Sequence, residues 1–223
     1  MVNSRILSAP MATKSERRRK QLIELGVQLF ANKPYDEVVI EDLAAAAGAS
    51  KGLLYHYFGN KKAFYLACVQ MVTGRLVAEL EGIDTGDPVA AVAVGLNRFV
   101  DFLDRHGKVY RSLMIGASGG DLGVHQLFDE TRSAIAALIL AELGVPGHPL
   151  FRHTVRAWIG SVEAAALDRL QHGSPDRDHF VAIQSQALAD RLVHAHGLDP
   201  AAASTGVIQA ALGLGEHRPQ LDQ

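Results

Sequence analysis

Scarcity narrows this 223-residue sequence first. Cys68 is the only cysteine, so no intrachain disulfide can form, which suits a reducing, cytoplasmic setting. No apolar run reads as long enough to cross a bilayer. The Leu7–Met11 region is too short for the apolar segment of a secretory leader, and no membrane partner is expected. No two segments alternate as paired strands do. The glycine-rich stretch 116–120 lacks the Lys-Ser/Thr of a phosphate loop and follows no strand. Ten histidines are present, but His194 and His196 are two apart, on different helix faces, and His148 and His153 are five apart across a helix start. A helical metal pair needs a spacing of three or four. No Ser/His/Asp arrangement has a recognisable spacing. The sequence thus offers no catalytic residue, no metal site and no cofactor site, and an enzyme on a helical scaffold remains only an alternative.

What is present is helix, and the fold class is all-α. Residues 1–12 read as a disordered leader and 216–223 as a frayed tail. Thr13-Lys14-Ser15-Glu16 has capping-box spacing and opens a helix to about Asn32, with Leu22, Ile23, Gly26, Val27 and Phe30 on its inward stripe. A second helix begins near Ile40. A long one from Lys61 to Leu80 reads as a lever joining a head (13–62) to a body (63–215). In the body, Asp87-Pro88 opens a helix that ends at Gly107, followed by a short helix from Lys108 to Ile115. Further helices are predicted over 121–143, 149–171 and 175–196, with a last short one from Asp199-Pro200. Charge divides along the same line. Up to Lys62 there are ten Lys and Arg against six Asp and Glu; beyond it, twelve against eighteen. A basic head on an acidic body points to an anionic partner for the head alone.

The stretch from Leu43 to Lys62 carries the chemistry. An alanine-rich helix is broken at Gly48, where the chain needs a positive φ. Ser50 then caps a short second helix starting at Lys51, and Gly59-Asn60 stops it. Helix, tight turn, helix is the pattern whose second helix enters the DNA major groove. Lys51 sits where the helix dipole disfavours a cation, which suits an anionic partner. Gly52 permits close backbone approach, Tyr55, His56 and Tyr57 bring polar tips on flat rings, and Lys61-Lys62 opens the next helix at another positive dipole end. Phosphate contacts would compensate both.

Leu43-Ala44, Ala47-Gly48, Ser50-Lys51-Gly52, Leu54-Tyr55, Tyr57-Phe58 and Lys61 together resemble the signature of the tetracycline-repressor (TetR) type of transcriptional regulator, over roughly residues 16–65. Val39 departs from it, standing where Ser or Thr usually caps the first helix of the motif. So do Gly59, where Pro is common, and Pro34, where Gly is common. The resemblance implies a double-stranded operator, a homodimer, a small-molecule effector and repression. The DNA-contacting candidates are Arg17, Arg18, Ser50, Lys51, Gly52, Leu53, Tyr55, His56, Tyr57 and Lys61.

The body is read accordingly. Ile159, Val162, Ala166, Phe180, Ile183, Ala187, Leu188 and Leu192 line the last two long helices and are the candidate dimer interface, since two such helices from each subunit make a four-helix bundle. Phe99, Phe102, Leu103, Tyr110, Leu113, Met114, Phe128, Arg132 and Trp158 are candidates for an effector pocket, against the alternative of plain core. Arg132 or Glu163, if buried, would be more telling than the aromatics, because an unpaired buried charge is expensive. The apolar candidates favour a hydrophobic or amphipathic effector. A protein-binding adaptor using the same motif is the other alternative.

Overall fold

The computed structural model describes residues 13–117, 122–145 and 147–200. Eight α-helices and one 3-10 turn account for most of these, and no strand occurs among the described residues. The leader, the tail and nearly all of the short helix expected after Asp199 lie outside them.

Helix α1 (Lys14–Phe30) begins with the expected capping box. Thr13 accepts from the Glu16 amide, and the Glu16 carboxylate accepts from the Thr13 amide at 2.6 Å. Hydrogen bonds from the Thr13 amide first, and from the Thr13 side chain, hold the Glu16 carboxyl below its usual range. A 3-10 turn over Tyr35–Glu37 follows. Helix α2 (Ile40–Ala46) starts from Val39, which makes no side-chain capping bond. Gly48 takes φ +53°, the left-handed conformation that the turn requires. Ser50 then caps α3 (Lys51–Phe58) by accepting from the Leu53 amide at 3.2 Å. Asn60 caps α4 (Lys61–Leu80) in the same way.

Helix α4 packs against α1, α5 and α6 and buries Phe64, Ala67, Cys68, Val69, Val72 and Leu76. Contrary to the sequence expectation, it is long and apolar enough to cross a membrane by length and composition. Its apolar side chains face other helices instead, as those of a core helix do. Gly26 on α1 lets the two helices meet: a Cβ there would collide with the Phe64 ring and stand 2.8 Å from Cys68 Sγ.

The body departs from the sequence reading first in α5. The helix expected to stop at Gly107 and the short one after it form a single helix, α5 (Pro88–Ala117). Gly107 is buried inside it, and a Cβ there would lie 2.8 Å from Leu170 Cδ2. This glycine serves close packing against α7, not termination. Helices α6 (Leu122–Glu142), α7 (Pro149–His172) and α8 (Arg177–Leu198) complete the body. Asp176 rather than Ser174-Pro175 caps α8, accepting from the His179 amide at 3.0 Å. Arg98 on α5 donates to the carbonyls of Glu79 and Glu81, satisfying the C-terminal end of α4. Arg177 ties α8 to α5 through Asp101 and Asp104. One continuous set of buried side chains runs from Leu22 in α1 to Ala195 in α8, so head and body share a core.

Candidate nucleic-acid interface and cavity

Eight residues of α3 divide cleanly. Leu54 and Phe58, one turn apart, are buried against the head. Lys51, Gly52, Tyr55 and His56 face solvent on the other side, with Tyr55 45% exposed. Spacings of one, four and five residues put these four on one helical face. Leu53 and Tyr57 are half-buried at its edges, and Ser15 Oγ donates to Tyr57 Oη at 3.3 Å.

Two cations are less awkward than the sequence suggested. Lys51 forms an ion pair with Glu41 of α2, which raises the ammonium's pKa and lowers that of the carboxyl, chiefly through their hydrogen bond. The dipole penalty at Lys51 is therefore offset within the protein, and it does not by itself require DNA. Lys61 is half-buried, its Nζ 4.3 Å from the centre of the Tyr35 ring, a cation–π contact that also needs no phosphate. Arg17 is exposed. Arg18 is half-buried and donates to the Ala47 carbonyl at 3.1 Å, clamping α1 to the end of α2.

The head is tied to the body by more than α4. Ser112 Oγ on α5 donates to the Phe30 carbonyl at 2.6 Å, Lys108 Nζ donates to Asn32 Oδ1 at 2.6 Å, and Tyr65 Oη donates to the Leu113 carbonyl at 3.3 Å. The second half of α5 therefore rests on α1 and α4, while its first half, with Tyr110, lines a cavity.

That cavity, about 350 Å³, lies between α4, α5, α6 and α7. Phe99, Tyr110 and Trp158 line it as expected for pocket candidates. Phe102, Leu103, Leu113 and Phe128 are buried and Met114 is half-buried, all away from its lining. Arg132 is not in the wall either, but its Nε donates to Glu163 Oε2 at 2.7 Å, and Glu163 is in the wall. Tyr110 Oη donates to the other carboxylate oxygen at 3.2 Å. Burial, reinforced by Glu163, pushes the Tyr110 phenol far above its usual pKa. Much of the wall escaped the sequence reading: Leu76, Leu80, Ile83, Val92, Ile135, Leu138 and Ile139. Only a carboxylate within an apolar stripe, Glu163 beside Ile159, Val162 and Ala166, gave a signal for it.

The candidate interface residues are dispersed. Ile159 and Val162 line the cavity, and Ala166, Phe180, Leu188 and Leu192 are buried within the single chain. These six already have partners inside the protomer and present no surface to a second copy. Ala187 is half-buried and Ile183 is 54% exposed. The outward faces of α7 and α8 carry Ala157, Gly160 and Ala164, and Ala182, Ile183, Gln186 and Val193.

A basic head with a short exposed recognition helix, on an all-helical body with a cavity, defines a helix-turn-helix transcriptional regulator. Residues 22–68 match the model of the bacterial regulatory proteins of the tetR family, and 88–196 match that of the tetracyclin repressor-like C-terminal domain. A tetR-family transcriptional regulator from Streptomyces coelicolor has a similar crystal structure. It is 30% identical with a TM-score of 0.75, over 91% of this chain and 90% of that one. The chain belongs to the TetR family of bacterial transcriptional regulators. It is also 29% identical over 98 residues to the transcriptional activator FasR of Mycolicibacterium smegmatis, covering 43% of this chain and 45% of that protein. A transcriptional repressor of Mycobacterium tuberculosis is 34% identical over 68 residues, covering 30% and 36%. The chain spans about half or less of the length of these curated relatives.

Proposed function

We propose that the chain is a cytoplasmic, homodimeric repressor that binds a palindromic operator and leaves it when a small, largely apolar effector fills the cavity. The head, 13–62, reads DNA; the body, 63–215, holds the effector and the second copy. The observation that carries this reading is the exposed face of Lys51, Gly52, Tyr55 and His56 on α3, joined through α4 and α5 to a largely apolar cavity. Arg17 and Lys61 flank that face and reach phosphates; Ser50, Leu53 and Tyr57 set its edges, and Arg18 holds α1 in register.

One short helix contacts few base pairs, so two are needed, about 34–36 Å apart to meet successive major grooves. The outward faces of α7 and α8, with small residues and Ile183, suit a two-fold four-helix contact. An effector wedged among α4, α5, α6 and α7 favours a different spacing of the two α3 helices, and the operator is released by population shift. Repression needs only that the dimer occupy DNA, whereas activation needs a further surface for the transcription machinery.

The test is selection of a binding sequence from random duplexes, followed by footprinting. A protected palindrome, lost in the Lys51→Ala/Tyr55→Ala variant, is the expected result. Affinity falling steeply with salt marks phosphate contacts. A salt-independent association with protein instead would favour the adaptor, and an intact footprint in the double variant would sink the assignment to α3.

A further inference from the structure

Among the described residues, four side chains in the cavity wall bear polar atoms: Tyr110, Trp158, Glu142 and Glu163. Both donors among them are spent. Tyr110 Oη donates to Glu163, and Trp158 Nε1 donates to the Gln184 carbonyl at 2.9 Å. Among these side chains, what is left to face the space is acceptor. Each Glu163 oxygen accepts one of these hydrogen bonds, from Tyr110 or Arg132, and has a second lone pair. Glu142 stands exposed at the rim, and among the described residues no Lys, Arg or His is in the wall. Together with Arg132, the direct partner of Glu163, the wall has one net negative charge. The start of α5 reaches the cavity at Pro88 and is no anion site. Pro88 has no N–H, and the Asp87 carboxylate already accepts from the Val89 amide at 2.9 Å.

We propose that this cavity selects apolar molecules whose polar end donates hydrogen bonds, as an amine or alcohol does, and turns away carboxylates and phosphates. The proposal rests on the reading of the cavity as an effector site. An ammonium head cancels the wall's charge and gives Glu163 a donor. A carboxylate head adds a second net negative charge in a recess where water screens poorly, and its oxygens face only side-chain acceptors.

Trp158 is the chain's only tryptophan, so its emission reports the cavity directly. The full chain is titrated with phenylbutylamine, phenylbutanol and phenylbutyrate, which share one apolar body. The amine is expected to bind about tenfold or more tighter than the carboxylate, with the alcohol between. Glu163→Gln, which keeps the shape and an acceptor, brings amine and carboxylate to within about threefold, a difference below 1 kcal/mol. Glu142→Gln, at the exposed rim, narrows the gap in part and serves if the buried variant does not fold. A carboxylate that binds the native chain as tightly as the amine overturns the selectivity and leaves the effector site standing. A preference unchanged in both variants overturns the assignment to these carboxylates. No saturable change with any of the three probes overturns the effector site itself.

Discussion

Lys51, at the tip of the recognition helix, is ion-paired with Glu41 of the preceding helix. The pair is exposed on both sides, so it contributes little to folding, but it competes for the ammonium with any phosphate. Glu41→Gln is therefore expected to raise operator affinity about two- to fivefold at moderate salt. Lys51→Ala lowers affinity and reduces the slope of log affinity against log salt by about one. Binding isotherms over a salt series measure both. A Glu41→Gln variant that binds more weakly would show that the pair orients Lys51 instead of withholding it.

Gly26 admits the Phe64 ring against the backbone of α1. Alanine gains about 1 kcal/mol of helix propensity but overpacks a buried aromatic contact, at about 1–3 kcal/mol. The net expectation for Gly26→Ala is a loss of about 1 kcal/mol, a fall in Tm of about 2–4 °C for a chain of this size. Thermal unfolding followed by circular dichroism checks it.

Ile183 is 54% exposed on the outer face of α8, where a second copy is proposed to sit. Ile183→Glu is expected to halve the mass in light scattering, leave the helical signal unchanged, and weaken operator binding about tenfold or more, because each half-site then binds alone. A variant that stays dimeric would move the interface elsewhere.

His106 packs against the Phe102 ring, with centroids 5.0 Å apart. Burial first, then the charges of Arg105 and Arg75, lowers its pKa below the ordinary value of 6.5, while Glu79 opposes them. In acid the unfolded chain takes up this proton before the folded one does, so stability falls as pH drops. The contribution is intact above about 6.5, the unfolded value, and is lost progressively down to the folded value. His106→Gln is expected to flatten the stability curve between about pH 7 and pH 5, measured by urea midpoints.

Much of the head was legible in the chain because its signals are local. Thr13 and Glu16, Gly48, Ser50 and Asn60 each act within one turn of helix, through a cap or a positive φ, and such geometry is written in residues three or four apart. The period of Leu54 and Phe58 likewise set which face of α3 turns inward. By itself the sequence determined most of the helices, the turn between α2 and α3, and the family. It could not say that Glu41 would reach Lys51, that Gly107 would receive Leu170 instead of ending a helix, or that Ile159 and Val162 would face a cavity while Ile183 faced solvent. Those outcomes belong to the tertiary structure alone. An apolar or glycine position has the same local energetics in core, cavity wall or interface, and only the packing of distant helices decides which it meets.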